Sequence, residues 1–134
     1  MLRLEIAAVY AGVNILILLV LAVLVAMNRQ RRKIVLGDAD DREFTRIVRA
    51  HGNAAENVPA GLVGILMLAL LEPAAPLWVL HAAGLSLTIG RLLHAVGLYA
   101  GALNAGRVLG MALTWLSFLL IGAGLVYAGL SQQL

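Results

Sequence analysis

Cysteine is absent from the 134 residues, which excludes a disulfide framework, a thiolate metal site and a cysteine nucleophile. Charge is scarce as well. Only 13% of residues are charged and 62% are hydrophobic, where soluble domains carry about a quarter charged and about half apolar residues. That balance points to a membrane protein. The three histidines, His51, His81 and His94, lack the i, i+4 spacing of a metal pair, so no metal site is expected. Ser86, Ser117 and Ser131 have no adjacent base, and the glycines are scattered rather than gathered in a phosphate loop. The sequence has no soluble domain, linker, low-complexity tract or convincing internal repeat. One domain over residues 1–134 is expected.

What is present is a set of long apolar runs. A span needs about 20 mostly apolar residues. Ile6–Met27 meets that with only Tyr10 and Asn14 as polar interruptions, and RQRRK follows it like a stop-transfer flank. It is too long for the apolar region of a cleaved signal and reads as a permanent first helix. Leu77–Tyr99 and Val108–Leu130 are also long enough. The fourth run, Val58–Leu71, has 14 residues, which cover about 21 Å of a core about 30 Å thick. To cross, it must recruit the polar residues upstream, RAHGNAAENVP, as part of the helix itself. The expected fold is therefore an all-α, antiparallel bundle of four transmembrane helices, at about 5–27, 46–71, 76–99 and 107–130. A polar loop over 28–45 and tight turns at Glu72–Pro76 and Gly101–Gly106 connect them.

The basic residues orient the bundle. Nine of the ten, all except Arg3, fall at the end shared by the first and third loops. The positive-inside rule makes that end cytoplasmic and leaves both termini outside. The basic charge is topological first, and no basic patch is interleaved with exposed aromatics, so no nucleic-acid partner is expected. RQRRK reads as a solvated flank facing lipid headgroups.

Ionisable groups at membrane depth are costly and usually face a bundle interior or a wet cavity. Arg46, Asn53 and Glu56 lie within about 60° of Arg49 on a helical wheel, with Asn57 beside them. His51 points to the opposite face. Thr88, Arg91, His94 and Leu98 share a face of the third helix, and Arg107 begins the fourth. Together they predict a cleft with several cations, one carboxylate and amide donors, suited to an anionic or zwitterionic ligand. Arg49 or Arg91 pairing with Glu56 would be the purely structural alternative. One glutamate cannot balance Arg49, Arg91 and Arg107, however, and surplus buried cations are disfavoured. His94 taken alone, and His81, read as hydrogen-bonded core histidines, and Asn14 reads as interhelical glue. Gly97-x-x-x-Gly101 and Gly106-x-x-x-Gly110 read as close helix contacts. Pro59, just past the polar stripe, is expected to loosen the second helix.

The second-helix pattern, Arg49-Ala50-x-x-Asn53-x-x-Glu56 followed by Pro59, resembles the signature of the MAPEG family, the membrane-associated proteins in eicosanoid and glutathione metabolism. GRLLHAVGLY on the third helix and GRVLGMALTWL on the fourth support the resemblance, which extends over the whole chain in length and helix count. It implies a homotrimer in a bacterial inner membrane, with glutathione as co-substrate in a cleft between subunits and a lipophilic small-molecule substrate arriving from the membrane lipids. By position, Arg49, Asn53 and Glu56 would hold the peptide's charged ends and backbone, with Asn57 beside them. Arg91 and His94 fall in the third-helix contact segment. Arg107 falls near the arginine that stabilises the thiolate in the transferases, and Arg31 best matches a further arginine of the basic loop. Asn57, His94 and Leu98 stand where eicosanoid-side members carry tyrosines, so an altered glutathione pocket is expected. The Ala/Gly/Arg-rich style looks bacterial, which makes an eicosanoid substrate the weaker expectation. The implied activity is a glutathione transferase or peroxidase acting on hydrophobic electrophiles. The alternative is a non-catalytic lipid- or partner-binding scaffold of the same fold.

Overall fold

The computed structural model, described here for residues 2–71, 76–101 and 104–131, forms α1 (Leu2–Arg32), α2 (Arg42–Leu70), α3 (Leu77–Ala100) and α4 (Ala105–Ser131). All four are long and apolar enough to cross a membrane. α1 and α3 run parallel, because Tyr10 meets His81 and Asn14 meets Thr88 in the same direction along both. α2 and α4 run against them: Asn53 meets Arg91, and Ser117 donates to the Ala83 carbonyl. Among the described residues α1 packs on α2 and α3, α4 packs on α3 and α2, and α1 and α4 do not touch. The expected tight turn at Glu72–Pro76 lies outside the described residues except for Pro76, as do residues 102 and 103 of the turn before α4.

The outward faces of α1 and α4 are mostly apolar, with Leu16, Leu19, Val20, Trp115, Leu116 and Leu119 exposed, as lipid contact requires. Inside, two apolar clusters sit at the two ends of the bundle. One gathers Ile65, Leu68, Leu80, Leu87 and Ile121, and the other Leu21, Ala54, Val58 and Leu98. Between them lies a polar layer. Asn14 donates to Thr88 Oγ1 at 2.8 Å, tying α1 to α3 as its mid-span position predicts. Thr88 in turn donates to the Gly84 carbonyl. Tyr10, whose partner the sequence did not reveal, bonds His81 Nδ1 through its hydroxyl at 2.9 Å.

The polar connection is shorter than the expected 28–45, because both flanking helices run into it and only 33–41 lies between them. Arg29–Arg32 of RQRRK continue α1 rather than opening the loop, with Gln30 and Arg31 exposed. Arg29, Arg31 and Arg32 lie in the last turn of α1, where cations complement the helix dipole. The helix stops at Lys33, whose φ of 56° is left-handed. Its N–H donates to the Gln30 carbonyl and that of Ile34 to Arg29, the bond pattern of a Schellman cap. Asp41 starts α2, taking the N–H groups of Glu43 and Phe44 at 3.0 and 3.1 Å. A clasp then locks the two helix ends together. Arg32 bridges Asp41 and Glu43, and Arg29 lies over the Phe44 ring at 5.2 Å.

Two carboxylates of this clasp are held below the usual range. The Thr45 hydroxyl does so chiefly for Asp38, and for Asp41 the chief cause is the Phe44 N–H. Groups with depressed folded pKa values stabilise fully above their unfolded value of about 3.9 and lose that contribution as pH falls through the folded one. Amide exchange at Glu43 and Phe44 is therefore expected to stay slow from neutral pH to about 4, after correction for intrinsic exchange, and to rise below it. Asp41→Ala should show the fast exchange already at neutral pH.

The closest helix approach is between α3 and α4. A Cβ on Gly110 would meet the His94 backbone nitrogen and stand 2.7 Å from the Gly90 carbonyl oxygen, and one on Gly97 would meet the Arg107 nitrogen. Gly101, expected as the partner of Gly97, instead ends α3 as its cap. The working set is Gly90, Gly97, Gly106 and Gly110. Because the obstacles are backbone atoms, Gly110→Val is expected to cost about 1–3 kcal/mol or more and lower the Tm in detergent. Gly129→Ala, which meets nothing within 4 Å, should leave the Tm unchanged. α2 runs unbroken through Pro59, which lies on its exposed face.

Candidate functional site

At the clasp end of the bundle, α2, α3 and the start of α4 surround a cavity of about 200 Å³. Its wall comprises Thr45, Arg46, Arg49, Asn53, His94, Leu98 and Arg107. The helical spacing explains which residues arrive. Relative to Arg49, Arg46 and Asn53 turn inward by roughly 60° and 40° at 100° per residue. Both are half-buried, whereas Arg49 stands exposed at the rim.

The floor is Arg91, only 1% exposed. Its Nη1 donates to Asn53 Oδ1, and its Nη2 donates to Thr114 Oγ1 and, at 3.4 Å, to the Gly110 carbonyl. One guanidinium fork thus joins α2, α3 and α4 through neutral acceptors. Arg91 was grouped with the ligand contacts by its helical face, but it lies beneath the cavity rather than on its wall, holding Asn53 in place. His94, 3% exposed, does reach the wall.

Arg107 sits in the first turn of α4, and its position is set by a residue the sequence reading passed over. Asn104 accepts the Arg107 N–H at 3.0 Å while its amide donates to the Gly97 and Gly101 carbonyls. It therefore fastens the end of α3 to the start of α4. An asparagine three residues before the polar head of a helix is a capping signal, so the signal was present.

Three other expected site residues stand apart from this cavity. Glu56 is exposed on the flank of the bundle, in line with Arg49 and about 10 Å further along α2. Among the described residues no salt bridge joins it to Arg49 or Arg91. Asn57 is half-buried, and its amide donates to the Asn53 carbonyl at 2.8 Å. Arg31 is exposed in the last turn of α1, a helix that does not contribute to the wall.

The electrostatics of the wall are one-sided: three guanidiniums and an imidazole converge with no carboxylate among the lining residues. Cations gathered in a partly desolvated place favour an anion between them.

The family model for the MAPEG family matches residues 7–127. The chain belongs to the MAPEG family. Two inner membrane proteins named YecN, from Escherichia coli strain K12 and from an O6:H1 strain, are similar to it. Each is 34% identical over 116 residues, covering 87% of this chain and 86% of the relative. The four apolar helices are those of a MAPEG membrane bundle. Within that MAPEG frame, Arg49, Asn53, His94 and Arg107 meet around one cavity and Arg91 lies beneath it, while Asn57 bonds its own helix and Glu56 and Arg31 are exposed away from it.

Proposed function

We propose that this protein is a glutathione transferase or peroxidase of the MAPEG type, acting on hydrophobic electrophiles. The observation that carries the reading is the wall of three arginines and a histidine without a carboxylate. Glutathione brings two carboxylates and a thiol to such a wall. Arg49 and Arg46 fork onto a carboxylate, and Asn53 offers an amide acceptor and donor. Arg107 lies beside the thiol, where a guanidinium lowers the thiol pKa and raises the thiolate fraction at neutral pH. The thiolate sulfur then bonds the electrophilic carbon, and the leaving group departs with the electron pair. The thiol proton goes to water, since a guanidinium cannot accept it.

In this reading the protein works as a homotrimer. Glu56 supports that, because an exposed carboxylate on a transmembrane helix cannot face lipid without cost. A neighbouring subunit would cover it, and Glu56 would take the amine of glutathione at the boundary. Arg31, which points out of its own protomer, would reach the same boundary from the next copy. The basic end is cytoplasmic by the positive-inside rule. The relatives named as inner membrane proteins support a place in that membrane.

A second reading, a non-catalytic lipid- or partner-binding scaffold, draws on Asn57. Its amide donates to its own helix, and the side chain offers no ring to a ligand. One experiment separates the two: mixing purified protein with glutathione and an aryl halide. The enzyme reading expects an ultraviolet thiolate band and product. Glutathione that gives neither a thiolate band nor product would remove the enzyme reading and leave the scaffold.

A further inference from the structure

Another cavity is larger than the polar one. A groove of about 460 Å³ runs between α1 and α3, from Leu16 to Leu24 on one wall and from Leu92 to Tyr99 on the other. That volume lies within the range of small-molecule sites. Tyr99 is the sole lining residue that is not aliphatic. It also lines a second cavity, of about 170 Å³, together with Asn28, Glu43, Arg46 and Ile47. Because α1 and α3 run parallel, Leu24 and Tyr99 both lie toward the clasp. An apolar slot thus ends in a polar box.

The box has unused valence of both signs. Neither the Arg46 guanidinium nor the Tyr99 hydroxyl bonds another described residue. Glu43 gives Oε2 to Arg32 at 2.8 Å, leaving Oε1. Asn28 donates to the Leu24 carbonyl, leaving its Oδ1. A simple anion would meet Glu43, and a simple cation would meet Arg46. A headgroup carrying both charges on a chain-like tail satisfies the whole arrangement. A helix from another copy fits less well, since the slot is only about 12 Å long on the α1 side and closes on charged groups.

We propose that the slot and box together bind one phospholipid of the surrounding bilayer with an amine-bearing headgroup. One acyl chain lies against Leu92, Val96 and the facing leucines of α1. The phosphate meets Arg46 and the Tyr99 hydroxyl, and the ammonium meets Glu43 and Asn28. This site is separate from the glutathione cavity, although Arg46 stands between the two, so the test leaves Arg46 unchanged.

Native mass spectrometry of protein purified from membranes in mild detergent reads the site. One phospholipid per protomer is expected to survive, with phosphatidylethanolamine enriched several-fold over its share of the membrane extract. Val96→Trp, at an exposed lipid-facing position, fills the slot and should remove that lipid. Leu92→Trp provides a second blocking variant should the first fail to fold. Glu43→Gln should keep a bound lipid but reduce its headgroup ratio to that of the extract, with phosphatidylglycerol and free fatty acid re-added as competing arms. A wild type carrying lipid at bulk composition would overturn the proposal. So would lipid retained in both blocking variants, or a Val96→Cys crosslink to a second copy showing the slot covered by protein.

Discussion

Arg91→Ala is expected to destabilise the protein by about 3 kcal/mol, seen as a fall in Tm of about 10 °C in detergent. The argument rests on what the guanidinium holds. It donates to Asn53 on α2, to Thr114 on α4 and to the Gly110 carbonyl, from a site that is 1% exposed. Truncation leaves the Asn53 side-chain oxygen without its donor and opens a void where three helices meet. Thr114 suffers less, because its hydroxyl also donates to the Gly110 carbonyl at 2.9 Å. Arg91→Lys should recover only part of the loss, since a single ammonium cannot span Asn53 and Thr114 as the planar fork does. Arg91→Met with Asn53→Leu should be milder than the sum of the two single changes. Removing both partners leaves no orphaned polar atom. If Arg91 were instead a solvated ligand contact, Arg91→Ala would leave Tm near wild type and alter only ligand affinity.

Arg107→Ala should have its large effect on chemistry, with a small one on stability. A neighbouring opposite charge moves a pKa by about 1–3 units. Its loss should therefore cut the thiolate fraction at neutral pH, and with it the rate of aryl halide conjugation, by about 10- to 100-fold or more. The deficit should shrink as the assay pH rises toward the free thiol pKa of about 8.5, because solvent then supplies the deprotonation. That pH-dependent recovery separates thiolate stabilisation from a general loss of binding, which would lower the rate equally at every pH. Arg107→Lys keeps the charge and should retain part of the rate.

The four spans were legible because each apolar run is close to a membrane thickness, and the second was legible through its shortfall. Where the helices end was not legible. The caps that end α1 and start α2 are Lys33 in a left-handed conformation and Asp41, and both lie outside the apolar runs that hydropathy reads. The convergence of Arg49, Asn53, His94 and Arg107 was legible from 3- and 4-residue spacing plus the charge surplus. The division of that stripe was not. Arg46 and Asn53 lie on its inner edge and Arg49 and Glu56 on its outer edge, and a sequence does not say where a neighbouring helix stops. The role of Arg91 was hidden for a related reason. Its partner Thr114 is on another helix, and nothing in a one-dimensional pattern pairs a buried arginine with a threonine 23 residues away.

The central claim is that the arginine-lined cavity takes glutathione, and the most direct test is the melting temperature of the purified protein with and without it. A ligand at about 100 times its Kd adds roughly 2.7 kcal/mol to the folded state. A rise of several degrees is predicted, lost in Arg49→Ala and in Glu56→Ala but retained in Gly129→Ala. A wild-type Tm that does not move with saturating glutathione, or a rise that persists undiminished in Arg49→Ala, would contradict the account.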